Sequence, residues 1–180
     1  EEERLGLKSG RKQWVDNMLD PTMKKSERET TTLLISGLTA AQDFLCEGAL
    51  RGLGYNVEYI GMSDNAGLQV GKEFGNRGQC NPTYFTVGGL VKHLIDLRDQ
   101  NGLTSEEVVK NYVFVTAGAC GPCRFGMYVT EYRKALRDAG FDGFRVMLFQ
   151  QKGGLSQATG EESGLEMNPA FFIAIIKAVV

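Results

Sequence analysis

Short apolar runs alternate along this chain with longer segments in which apolar residues recur every three or four positions. The short runs are rich in β-branched and aromatic residues, which is typical of buried strands. They predict four strands, at residues 30–36, 56–60, 112–116 and 144–149. The longer segments predict helices, at residues 39–53, 82–97, 124–139 and from 168 onward.

Capping signals support several of these helices. Thr39 with Gln42, and Thr104 with Glu107, have the spacing of a capping box, so a helix is predicted to begin after each threonine. Asn168 precedes a proline, which suits the first position of a helix. In the first helix we expect an apolar stripe to face the core, formed by Ala41, Phe44, Leu45, Gly48, Ala49 and Leu53.

Strands that alternate with helices of this length indicate an α/β fold. We therefore predict a Rossmann-like three-layer domain with a mostly parallel sheet of about four strands. Residues 1–29 are charged and are interpreted as an N-terminal extension or linker, and residues 30–180 as the α/β domain. Because the chain lacks an initial Met and ends in an apolar run, we interpret it as an excerpt of a longer protein.

The charge balance bears on partners. Lys and Arg total 20 and Asp and Glu total 22, for a formal net charge of -2. A nucleic-acid-binding protein or a polybasic membrane-surface protein needs a surplus of cations, so we expect neither partner. No apolar run approaches the roughly 18 residues of a membrane-spanning helix.

Glycine and cysteine are the informative residue types. The 23 glycines cluster near residues 71–78, 88–89, 118–126 and 153–164, which indicates tight turns and close approach of the backbone to a neighbour. Four cysteines are too few for a disulfide scaffold of this size. Reduced thiols in the cytoplasm are therefore the expectation, and a Cys-x-x-Cys pair there indicates redox or metal chemistry.

Three cysteines lie where helices are predicted to begin. Cys120 and Cys123 fall between a strand and a helix, with Arg124 adjacent, and Cys80 precedes another helix. The positive end of a helix favours the thiolate, which is the form that binds metal. We expect Cys80, Cys120, Cys123 and Arg124 to bind one anionic cofactor, such as an iron–sulfur cluster, at the same end of the sheet.

Other interpretations stay open. Cys46 is mid-helix and is expected to be a small buried residue, and His93 is expected to be a solvated surface residue. Cys120 and Cys123 form the Cys-Gly-Pro-Cys motif of thioredoxins, but the tryptophan before the motif and the later cis-proline loop are missing. Structural zinc is a further alternative, although the four cysteines lack the usual paired spacing.

Several segments together resemble one family, the 2-hydroxyacyl-CoA dehydratase and benzoyl-CoA reductase superfamily, and within it the large CoA-substrate-specific enzyme activases. They cover residues 73–84 (EFGNRGQCNPTY), 87–90 (VGGL), 121–128 (GPCRFGMY), 132–136 (YRKAL) and 148–154 (LFQQKGG). The resemblance extends over roughly residues 30–175 and is strongest around the cysteines.

The resemblance implies a cytoplasmic protein of anaerobic prokaryotes within an acyl-CoA dehydratase or reductase system. It implies a 4Fe–4S cluster, an ATPase or activase domain or subunit as electron donor, and an acyl-CoA substrate. Cys80 and Cys123 match the family's cysteine motifs. Cys120 is less firmly matched, since some relatives have another residue there, and a third ligand is then expected beyond Val180.

Overall fold

A computed structural model describes residues 23–37, 39–117, 123–149, 164–166 and 168–179. The strands are β1 (Thr32–Ile35), β2 (Asn56–Tyr59), β3 (Tyr112–Ala117) and β4 (Arg145–Phe149). The helices are α1 (Ala40–Gly52), α2 (Asn65–Phe74), α3 (Asn81–Asp99), α4 (Ser105–Asn111), α5 (Tyr128–Asp138) and α6 (Pro169–Val179). Two short 3-10 helices span Lys25–Glu27 and Arg124–Met127.

The four strands form one parallel sheet in the order β2-β1-β3-β4. Leu33 of β1 is in register with Val57 of β2 on one side and Val113 of β3 on the other. Helices cover both faces of this sheet. The predicted α/β, Rossmann-like three-layer fold with a parallel sheet of four strands is therefore confirmed.

The two faces of the sheet have separate cores. Leu34, Phe114 and Val146 point to the face covered by α2, α3, α4 and α5, which we call the α3 side. Leu33 and Met147 point to the opposite face, covered by α1 and α6, which we call the α1 side. Alternation along each strand produces this division, since successive side chains point to opposite faces.

Local signals set the helix starts as predicted. Thr39 and Thr104 each accept a hydrogen bond from the backbone N–H three residues later, and each capping box is complete. The Asn168 side chain likewise accepts a hydrogen bond from the Phe171 N–H at the start of α6. None of the described helices is both long enough and apolar enough to cross a membrane.

The glycines of α2 and α3 allow these helices to pack backbone against backbone. A Cβ atom at Gly71 would overlap the carbonyl oxygen of Tyr84, and one at Gly88 would overlap the carbonyl oxygen of Gly67. The expected close approach of the backbone at residues 71–78 and 88–89 is thus an approach of one helix to another at Gly71, Gly88 and Gly67. Only glycine fits at such a contact.

The predicted inward stripe of α1 is confirmed only in part, since Ala49 and Leu53 pack against the core of the α1 side but Phe44 and Leu45 do not. The helix buries Asp43, Cys46 and Leu50, while Phe44 and Leu45 are 67% and 51% exposed. Apolar residues occur on two faces of this helix, so their spacing does not decide which face is buried. Packing of Cys46 and Leu50 on the sheet decides it.

Candidate cysteine site

Cys80 is the N-cap residue of α3, immediately before a proline-containing first turn. Its Sγ atom lies 3.0 Å from the Thr83 hydroxyl oxygen and 3.2 Å from the Tyr128 hydroxyl oxygen. Thr83 belongs to the same helix, whereas Tyr128 is the first residue of α5. The sulfur is thus placed where two helices begin, beside two hydroxyl groups that can donate hydrogen bonds to it.

This environment favours the thiolate. Hydrogen bonds from the Thr83 hydroxyl, the Tyr128 hydroxyl and the Thr83 backbone N–H lower the pKa of Cys80 to about 7. Hydrogen bonding to a charged form stabilises that form. Cys80 is also exposed, so its sulfur can reach a ligand.

The loop before Cys80 is held by one buried carboxylate. Glu131 of α5 accepts hydrogen bonds from the Asn76 backbone N–H at 3.2 Å, from the Asn76 side chain at 2.7 Å and from the Gln79 side chain at 3.2 Å. The Tyr84 hydroxyl accepts from the Gln79 N–H and donates to the Asn76 carbonyl, each at 3.0 Å. Together they fix the path of the chain into Cys80.

Sequence reasoning missed Glu131 as a contributor to the site. Its signal was present, because Glu131 lies three residues after Tyr128 and four before Ala135, which are both buried on the same face of α5. A carboxylate on the buried face of a helix needs hydrogen-bond donors. The polar loop before α3 supplies them, which only the tertiary structure reveals.

Cys123 belongs to the segment that leads into α5, the helix that begins with Tyr128. It is the N-cap residue of the 3-10 helix Arg124–Met127, and its thiol is free and exposed. Burial, the hydrogen bond with Cys80 and the electrostatic influence of Cys80 and Cys123 raise the pKa of Tyr128, while a hydrogen bond with Thr83 lowers it. Cys80 thus contacts the Tyr128 hydroxyl, and Cys123 lies within electrostatic reach of the same phenol.

The other predicted residues are less fully placed. Cys120 lies outside the described residues, and for Arg124 the structure describes only the main chain, which opens the 3-10 helix. Within the described ranges, no group of three or more His, Cys, Asp or Glu side chains could hold a metal ion. The described part of the site therefore offers two sulfur donors, Cys80 and Cys123.

Cys46 and His93 both lie apart from this site. Cys46 is buried on the α1 side, where burial and then the charge of Asp43 raise its pKa. His93 is not the solvated residue that we predicted, since 18% of its side chain is exposed and its Nε2 atom lies 3.3 Å from Glu58. The imidazole beside Glu58 lowers the pKa of that carboxyl. His93 thus lies between α3 and the edge strand β2.

We compared the chain with protein-family models, curated proteins and solved structures, and none of the three comparisons finds a match.

Proposed function

We propose that this protein is an iron–sulfur-binding domain of a 2-hydroxyacyl-CoA dehydratase-like or activase-like system, working in ATP-driven transfer of low-potential electrons. The observation that carries the proposal is the pair of exposed cysteines, Cys80 in contact with the Tyr128 hydroxyl and Cys123 within electrostatic reach of the same phenol. Two sulfurs from different segments at the carboxyl end of a parallel sheet are an arrangement that one shared cofactor requires.

The donor set fits the proposed cofactor in its chemistry. Thiolates are the ligands that iron–sulfur clusters take, and Cys80 is already favoured as a thiolate. Cys80 and Cys123 would hold a 4Fe–4S cluster, with Cys120 as a further candidate from the same motif and any remaining ligand supplied by the rest of the protein. When bound, the cluster supplies one-electron redox chemistry.

The residues around the sulfurs have separate tasks. Thr83 and Tyr128 donate hydrogen bonds to the Cys80 sulfur, and such bonds orient a ligand and adjust its electron density. Glu131 accepts hydrogen bonds from the preceding loop and so fixes the path of the chain into Cys80. Together these residues hold the Cys80 sulfur in place and stabilise its negative charge.

The wider role belongs to the same proposal and rests on the family resemblance. It includes a cytoplasmic location, an ATPase or activase domain or subunit as the electron donor, and an acyl-CoA as the compound on which the system acts. A thioredoxin-like exchange between Cys120 and Cys123, or a non-catalytic cofactor-binding role, remains the alternative. The experiment below separates the iron–sulfur proposal from the thioredoxin-like alternative.

The test is purification of the full-length protein without oxygen, followed by iron and acid-labile sulfide assays and visible absorbance. We expect iron and sulfide in the unmodified protein, and loss of both with the charge-transfer absorbance in Cys80→Ser and in Cys123→Ser, because a serine hydroxyl rarely replaces thiolate on iron. Cys46→Ser is the matched control. It should keep its iron, since Cys46 is buried on the α1 side.

Two results would contradict the proposal. One is full iron content with an unchanged spectrum in both the Cys80 and Cys123 variants. The other is an iron-free protein that reduces insulin through a reversible Cys120–Cys123 disulfide, which would instead support the thioredoxin-like alternative.

A further inference from the structure

A cavity of about 650 Å³ opens at the carboxyl ends of β1 and β3. These strands are neighbours, yet the chain leaves β1 for α1 on one face of the sheet and leaves β3 for α5 on the other. Such a switch point is where open parallel sheets bind ligands. Small-molecule sites typically measure about 300–1,000 Å³, so the cavity is large enough to be one.

The wall of the cavity is mostly hydrocarbon. Aromatic and aliphatic side chains from both sides of the sheet line it, among them Ile35, Phe85, Phe114, Val115, Phe125 and Phe171. Asp43 is the only charged residue among the described residues of the lining, and no Lys, Arg or His appears there. The body of a ligand that fits this wall is therefore apolar.

Asp43 decides the charge of that ligand. The N-terminus of the first helix after β1 is where an α/β protein usually binds an anion, because free N–H groups and the helix dipole point there. Here Asp43 lies in the first turn of α1, is only 3% exposed, and accepts a hydrogen bond from the Gly37 N–H at 3.2 Å. The chain's own carboxylate thus takes the place of an external anion and repels another one.

Polar groups in the wall offer anchoring points to a neutral ligand. The Ser63 hydroxyl oxygen is buried and, in the part of the chain that the structure describes, has no hydrogen-bond partner. Tyr132 also lines the cavity beside Thr86 and Thr116, and burial raises its pKa to about 12, so its hydroxyl stays neutral. An unpaired buried hydroxyl is costly, and a hydrogen bond from a ligand would remove that cost.

We propose that this cavity binds an uncharged, largely aromatic or aliphatic small molecule, and that Asp43 excludes anionic ligands from it. The inference does not depend on the iron–sulfur proposal, since neither Cys80 nor Cys123 lines the cavity. Either proposal can fail while the other stands.

Two fluorescent probes that share one scaffold test the proposal directly. N-phenyl-1-naphthylamine is neutral, and 8-anilinonaphthalene-1-sulfonate is the same molecule with a sulfonate group. We expect saturable binding of the neutral probe, at one site, at least about tenfold tighter than binding of the sulfonate, which corresponds to about 1.4 kcal/mol.

Three variants locate the site. Val115→Trp places an indole in the cavity and should abolish binding of the neutral probe. Asp43→Asn keeps an acceptor for the Gly37 N–H but removes the charge, so the sulfonate should bind at least about fivefold more tightly while the neutral probe is little changed. Phe44→Ala is the control, because Phe44 is exposed, lies next to Asp43 in sequence and does not line the cavity.

Three results would overturn the proposal. They are no binding of the neutral probe, equal binding of both probes to the unmodified protein, and loss of binding in Phe44→Ala but not in Val115→Trp, which would place the probe on the surface. If Val115→Trp loses its native circular dichroism, Asp43→Asn still decides the charge argument, since an unchanged probe preference in that variant contradicts it.

Discussion

The two sides of the sheet differ in how their helices pack and in what chemistry they carry. On the α3 side, α2 and α3 touch through glycines, and a cysteine stands in a polar, hydrogen-bonded setting. On the α1 side, α1 and α6 leave large apolar side chains in solvent, such as Phe44 at 67% and Ile176 at 59% exposed, and the cysteine is buried. The side with the closer helix packing is therefore the side whose cysteine is exposed.

The same residue type thus has opposite properties on the two sides. Cys46 is surrounded by apolar groups and a carboxylate, which raise its pKa, whereas Cys80 is surrounded by hydroxyl and N–H donors, which lower its pKa. Glycine differs in the same way, because Gly71 is enclosed by backbone atoms and Gly48 has nothing within 4 Å of an added Cβ. Environment, and not residue type, separates a structural position from a reactive one.

The largest expected effect comes from the glycines. Gly71→Ala should lower the free energy of unfolding by about 3 kcal/mol, because the new methyl group meets the Tyr84 main chain and forces α2 away from α3. Gly48→Ala, the matched substitution on the α1 side, should raise it by about 0.5–1 kcal/mol, because alanine is the better helix former. Urea unfolding measures both, and a loss of similar size in the two variants would remove the distinction between the sides.

A smaller effect is expected at the buried carboxylate of α5. Glu131→Ala should cost about 1–3 kcal/mol, because it leaves the hydrogen-bond donors of Asn76 and Gln79 without their acceptor. Glu47→Ala on α1 removes an i,i+4 pair with the exposed Arg51, which keeps its hydrogen bond to the Val57 carbonyl, and should cost about 0.5 kcal/mol or less. Thermal unfolding of the two variants gives the comparison, and equal losses would mean that Glu131 does not hold the loop.

The smallest expected effect is a shift in the pH at which the thiols become reactive. In metal-free, reduced protein, the rate of alkylation of Cys80 should rise with pH around a midpoint of about 7, while buried Cys46 should stay nearly unreactive. Tyr128→Phe removes one donor to the sulfur and should move the midpoint upward, with Tyr59→Phe on the α1 side as the control. Mass spectrometry of the alkylated peptides follows each cysteine separately.

The lowered pKa of Cys80 also makes the free energy of unfolding depend on pH. Because the pKa of Cys80 is lower in the folded protein, its contribution to stability is present above the unfolded pKa of about 8.5 and is lost as the pH falls through about 7. An alkylation midpoint near 8.5, unchanged in Tyr128→Phe, would show that the hydroxyl does not stabilise the thiolate.

The sequence by itself determined the class of fold and most of the helix starts. Apolar runs of β-branched residues specify buried strands, and Thr39 and Thr104 each meet their capping partner three residues later, so these features depend on neighbours along the chain. The positions of Cys80 and Cys123 before helices could be predicted for the same reason. Capping and strand propensity depend on residues close in sequence, so they can be read without the tertiary structure.

Tertiary structure alone decided which surfaces meet. Both faces of α1 carry apolar residues, so only packing on the sheet could bury Cys46 and leave Phe44 in solvent. Likewise, 48 residues along the chain separate Cys80 from Tyr128, and 55 separate Asn76 from Glu131, yet each pair is in hydrogen-bonding contact. Spacing in sequence carries no information about such contacts, because they are set by how a parallel sheet gathers the ends of its strands and the starts of its helices at one edge.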